Sequence, residues 1–117
     1  MRILVTGSAG HLGEAILRTL RRRGSSARGI DLKASLFTDA VGSIVDPGFL
    51  REQMAGISAI IHTATLHKPH VATHSKRDFI DTNVTGTLNL LEAATVAGVT
   101  SFVFTSTTSA FGSQLRP

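Results

Sequence analysis

Apolar residues recur along this chain in two alternating rhythms. Ile3-Leu4-Val5, Arg28–Leu32, Ser43–Val45, Ser58–Thr63 and Ser101–Thr105 are short runs bounded by glycine, proline or polar residues, and they predict five strands. Between them the apolar positions follow helical spacing. Leu12, Ala15, Ile16 and Leu20 share one face of a helix over 12–23, stopped by Gly24. Phe49–Ala55 predicts a short helix after the Asp46-Pro47-Gly48 turn. The longest pattern runs from Lys76 to Ala97. Ser75 and Asp78 are spaced as a capping box, Ile80, Val84, Leu88, Leu91 and Ala94 follow at helical intervals, and Gly98 ends the element.

Short apolar strands alternating with helices predict repeated βαβ units. Their right-handed crossovers build a parallel sheet covered on both faces. The expectation is one α/β domain over residues 1–117, doubly wound, with about five strands. The chain ends soon after the fifth run, early for a complete doubly wound enzyme, which predicts a truncated sheet.

Composition narrows the function classes. A hydrophobic content of 42% with 17% charged residues is that of a globular protein. There is no cysteine, which excludes disulfides and thiolate metal sites and fits a reducing cytoplasm. No apolar run approaches the roughly 18 to 20 residues that cross a bilayer, so a soluble cytoplasmic protein without a membrane partner is expected. The net charge of +4 raises nucleic acid as a partner. The densest cations, Arg21-Arg22-Arg23 with Arg18 a turn earlier, stand where a helix ends before Gly24 and suit its negative dipole end. With no Trp or Tyr, surfaces for stacking bases are scarce, and no nucleic-acid partner is expected.

The strongest chemical signal is Thr6-Gly7-Ser8-Ala9-Gly10-His11-Leu12-Gly13, between the first strand and the first helix. In that setting Gly7 permits the tight turn, Gly10 lets the backbone approach a diphosphate, and Gly13 lets helix and strand pack closely. The amides near His11 and Leu12, at the positive end of the helix, would donate to phosphate oxygens. A glycine-rich connection without a ligand is the bland alternative. Asp31, eighteen residues beyond Gly13, stands where a carboxylate accepts hydrogen bonds from a ribose hydroxyl. Its charge would repel the extra phosphate of NADP, so NAD is the expected cofactor, with nearby Lys33 softening the preference.

With those residues in place the sequence resembles the extended short-chain dehydrogenase/reductase family, the NAD-dependent epimerase/dehydratase group, whose cofactor-binding domain has a Rossmann-like fold. The resemblance extends to SIVDPGF, IIHTAT, DTNVTGTLNLLEAA and FVFTSTTSAFG, in that order. It implies that Val45 and Asp46 border the adenine, although Asp46 could equally serve as a turn acid before Pro47. It implies that Ala64 and Thr65 line the cofactor ribose and that Asn83 holds neighbouring backbone. It also implies that Thr107 is the hydroxyl that orients the substrate's reacting oxygen, with Thr105, Ser106, Thr108 and Ser109 as neighbours that could be confused with it.

The family's catalytic centre also needs a Tyr-x-x-x-Lys pair, and this chain has no tyrosine; Phe111 is no substitute. The expectation is therefore the N-terminal part of an enzyme that moves hydride reversibly between a small-molecule substrate and NAD, with nucleotide sugars the commonest substrate class that the resemblance implies. A non-catalytic NAD-binding regulator is the alternative. His67, His70 and His74, with His62 upstream, raise a metal site, but Pro69 interrupts the segment and no HExxH pattern exists, so no metal is expected. The resemblance implies a dimer contact through the long helix, whose apolar residues lie on more than one side. A homo-oligomer is expected.

Overall fold

The computed structural model describes residues 1–107 and Ser113. A five-stranded sheet, entirely parallel, runs through it in the order β3-β2-β1-β4-β5. Its strands are β1 (Arg2–Thr6), β2 (Ser26–Asp31), β3 (Ala40–Val41), β4 (Ala59–His62) and β5 (Ser101–Phe104). Successive side chains of a strand point to opposite faces, and Leu4 and Val5 are both fully buried, so both faces of the sheet are covered. This is the doubly wound α/β architecture the alternating pattern predicts.

One face carries α1 (His11–Arg22), whose Leu17 packs over Gly29; a Cβ on Gly29 would meet the Leu17 Cδ1 at 2.6 Å. The other carries α2 (Pro47–Gln53) and the long helical element. Leu4, Ile30, Leu50, Met54, Ile57, Ile60 and Leu90 form the core there. The two helical ends read from the sequence hold: Gly24 and Gly98 adopt φ of 75° and 73°, the left-handed conformation that ends a helix at glycine. Among the described residues no helix is long and apolar enough to cross a membrane.

Two expectations need correction. Ser43–Val45 is not the third strand; that strand is Ala40–Val41, and the apolar triplet turns toward α2. The Ser43 hydroxyl accepts the Val45 amide (3.1 Å) and the Ser43 carbonyl accepts the Asp46 amide (3.1 Å). Ile44 is apolar because it is buried against Gly86, not because it pairs in a sheet. The long helix is also not uniform. α3 (Lys76–Phe79), capped reciprocally by Ser75 and Asp78 as expected, leads into a π-helical stretch over Ile80–Gly86, and α4 (Thr87–Ala97) follows.

Candidate functional site

The sheet reverses its winding between β1 and β4, and an open cleft of about 1050 Å³ lies at the carboxyl ends of these strands. Crevices at such switch points are where open α/β sheets hold ligands. The Gly7–Gly13 turn forms one wall. Gly7 has φ 78°, and the Gly7 and Ser8 amides donate to the Ile30 carbonyl at 2.9 and 3.2 Å, tying the turn to β2. Gly10 is the N-cap residue of α1 and provides no capping side chain. The first helical bond runs from the Glu14 amide to the Gly10 carbonyl (2.9 Å), so the amides of His11, Leu12 and Gly13 precede it. Gly13 lies so close to the turn that a Cβ would overlap the Gly7 carbonyl. A Cβ on Gly10 would sit 3.2 Å from that same oxygen.

Asp31, at the end of β2, is gripped from two sides. Its Oδ2 accepts the Ala9 amide and its Oδ1 the Lys33 amide, each at 2.9 Å. Each carboxylate oxygen keeps a further lone pair, so the group can still accept from a ligand hydroxyl. The Ala9 bond was not legible in the sequence; it makes Asp31 a strut of the glycine turn.

Val45, Ala64, Thr65, Asn83 and Thr107 line the same cleft. Asn83, in the π-helical stretch, clamps Leu66: its Oδ1 accepts the Leu66 amide (2.7 Å) and its Nδ2 donates to the Leu66 carbonyl (2.8 Å). Asn89 holds the opposite rim, its Nδ2 donating to the Ile44 and Val45 carbonyls at 3.2 and 3.3 Å. Asp46 is the exception among the residues expected here. It does not line the cleft, and its Oδ1 caps α2 by accepting the Gly48 (2.9 Å) and Phe49 (3.3 Å) amides. Its role in the fold is the turn acid. Thr108, Ser109, Phe111 and Gly112 lie outside the described residues.

The histidines separate into two groups. His70, on a 3₁₀ turn (Lys68–Ala72), and His67, the N-cap residue of that turn, line the cleft with ring centroids 4.6 Å apart, and His74 follows at 5.4 Å from His70. Among the described residues no group of three His, Asp or Glu side chains could hold a metal ion. His62 is fully buried in β4, between Thr6 and Thr87. The Thr6 hydroxyl accepts the Thr63 amide (3.1 Å, shared with the Thr6 carbonyl) and the Ala64 amide (3.2 Å). Both its lone pairs are then used, so its proton goes to the His62 Nδ1 at 2.7 Å. The imidazole therefore carries its hydrogen on Nε2 and donates to the Thr87 hydroxyl at 2.9 Å. Burial pushes its pKa down to about 4. The sequence carried a signal for this: Ala59-Ile60-Ile61 runs directly into His62.

Residues 3–117 match the family model for the NAD dependent epimerase/dehydratase family. The chain is 32% identical to the UDP-glucose 4-epimerase of Erwinia amylovora, over 97% of this chain and 39% of that protein. It is 36% identical to a 3 beta-hydroxysteroid dehydrogenase/Delta 5-->4-isomerase of Mycobacterium tuberculosis, over 92% and 32%. It thus spans less than two fifths of the length of these relatives. Among solved structures, a short-chain dehydrogenase/reductase superfamily protein from Agrobacterium tumefaciens, crystallised with bound NAD, superposes with a TM-score of 0.86 at 37% identity, over 96% of this chain and 34% of that one.

Proposed function

Because the chain belongs to the NAD-dependent epimerase/dehydratase family, we propose that it forms the cofactor-binding part of an oxidoreductase that takes NAD in the switch-point cleft. One observation carries this reading: α1 opens on the cleft with no side-chain cap, behind a glycine whose missing Cβ leaves its amides accessible. Such an end favours an anion through both its unpaired donors and its dipole. The residues present fit a dinucleotide. The amides of His11, Leu12 and Gly13 would hold the diphosphate, and Asp31 would accept from the adenosine ribose. Val45, with Asp46 behind it, would border the adenine, and Ala64 and Thr65 would line the second ribose above the Asn83 clamp.

When bound, NAD supplies a reversible hydride acceptor. Thr107 would donate a hydrogen bond to the reacting oxygen of a small-molecule substrate, orienting and polarising it. The relatives include an enzyme named for a nucleotide sugar, and that substrate class is the reading we favour for the parent activity. Proton transfer by a Tyr-x-x-x-Lys pair is not assigned to these residues, since the sequence has no tyrosine.

Titration calorimetry tests the cofactor choice. The chain should bind NAD at least about tenfold more tightly than NADP, because the 2′-phosphate would face the Asp31 carboxylate. Asp31→Ala also frees the Ala9 amide and so should weaken both, but NAD more, bringing the ratio to within about threefold. Equal binding of both cofactors by the unaltered chain would refute the preference for NAD over NADP assigned to Asp31.

Exposed apolar residues also line the long helical element: Ile80 (54%), Val84 (59%), Leu88 (53%) and Leu91 (42%). A contiguous exposed apolar surface favours association, and a second copy of this chain is the proposed partner. Sedimentation should give a dimer or larger for the chain and a monomer for Leu88→Glu. A monomeric unaltered chain removes this part of the proposal.

A further inference from the structure

The cleft is electrically lopsided. Among its described lining residues Asp31 is the only carboxylate, and it stands beside the glycine turn with Lys33. The far end, where Thr105–Thr107 leave β5, has no acid at all among those residues. Facing it is the 3₁₀ turn with His67, Lys68 and His70. The next acids along the chain are already engaged: the Asp78 carboxylate accepts the Ser75 amide (2.8 Å), and Asp81 pairs with Arg77 (3.0 Å).

The lip also has a fixed polarity. His70 accepts the His67 amide at its Nδ1 (3.0 Å), so the neutral ring carries its hydrogen on Nε2. Lys68 adds an exposed cation one residue from His67. Donors and a positive charge without a carboxylate make an environment that favours an oxyanion and disfavours a cationic group.

We infer that the His67–Lys68–His70 lip is a substrate-recognition element selecting a substrate with an oxyanion, a carboxylate or a phosphate, close to its reacting carbon. This rests on the reading of the cleft as a dinucleotide and substrate site. The turn that carries the lip is anchored at its base by the Asn83–Leu66 clamp, so the π-helical stretch positions the donors as well as the cleft wall.

NMR of the histidine ring signals, with NAD present in excess, tests this with three probes: glucuronate for a carboxylate, glucose 6-phosphate for a phosphate, and glucose as the neutral control. His11, at the start of α1, reports the diphosphate site independently. Addition of NAD should move the His11 signal; if it does not, the cofactor reading fails, and the same three probes are then titrated into the chain alone. At least one acidic probe should move His67 and His70 with an apparent affinity about fivefold or more above that of glucose, and the stronger of the two identifies the oxyanion. Lys68→Ala, a substitution at an exposed position, should weaken that response about threefold to fivefold. The inference is overturned if glucose matches both acids, if only His11 responds to them, or if Lys68→Ala leaves the response unchanged.

Discussion

Gly10→Val should leave the chain folded and lower its affinity for NAD by about 100-fold or more. The fold tolerates the change because Gly10 has φ −81° and ψ 164°, an extended conformation that β-branched residues adopt readily. The new Cβ would approach the Gly7 carbonyl to 3.2 Å, which a small adjustment of the turn relieves. Replacing a glycine N-cap by an apolar residue costs on the order of 1 kcal/mol. Binding suffers far more, because the valine methyl groups occupy the space through which a diphosphate reaches the amides of His11 and Leu12. Losing two charge-assisted hydrogen bonds, each about 1.5 kcal/mol or more, corresponds to about a hundredfold. Gly10→Ala should fall between, near tenfold. Calorimetry gives the affinities, and urea unfolding of the same variants separates lost binding from lost structure. Unchanged NAD affinity in a folded Gly10→Val chain would mean that the diphosphate does not lie on this turn.

Much of this site was legible before the structure because its chemistry depends on residue types with few substitutes. Glycines at 7, 10 and 13 between an apolar triplet and a helical pattern mark a turn with a specific backbone shape, and the structure builds it there. The sheet followed from the alternation of run lengths. What could not be read were interactions between residues distant in sequence: the Asp31 strut under Ala9 and the Asn89 hold on Ile44 and Val45. The resemblance implies that Asn83 holds neighbouring backbone, and the structure identifies that backbone as Leu66. Asn83 lies in a helical pattern whose periodicity is too coarse to reveal a π-helical stretch. Ser43–Val45 misled for a related reason. A short apolar run reports burial, and Ile44 is buried, but its neighbours spend their backbone groups on a turn. His62 falls in the fourth strand run, as read from the sequence, but its grouping with His67, His70 and His74 as a metal candidate does not survive, because its side chain faces the interior.

That buried histidine should make the fold acid-sensitive. His62 binds a proton near pH 4 when folded and near its ordinary 6.5 when unfolded. The unfolded chain therefore takes up the proton first as pH falls, so the stabilising contribution is complete above about 6.5 and is lost progressively down to about 4. Its full size is about 3 kcal/mol, a substantial part of the roughly 5 to 15 kcal/mol that holds a domain together. Burial is the main cause. The hydrogen-bond pattern adds a reason of its own: a proton on Nδ1 would point at the Thr6 oxygen, whose lone pairs already serve the Thr63 and Ala64 amides. Charging the ring therefore strips the support from the Thr63–Ala64 corner of the cleft as well as from the core. Urea unfolding between pH 7.5 and 4 should show stability falling by about 1.4 kcal/mol per pH unit below 6.5 more steeply than in His62→Gln, which keeps a polar side chain but does not titrate. Thr6→Val, nearly the same shape without the hydroxyl, should lose about 2 to 4 kcal/mol at pH 7.5, since it leaves the Ala64 amide and the imidazole nitrogen without that partner, while the Thr63 amide keeps the Thr6 carbonyl. Parallel pH profiles for the unaltered chain and His62→Gln would show that the ring is not the neutral, buried link between β1, β4 and α4.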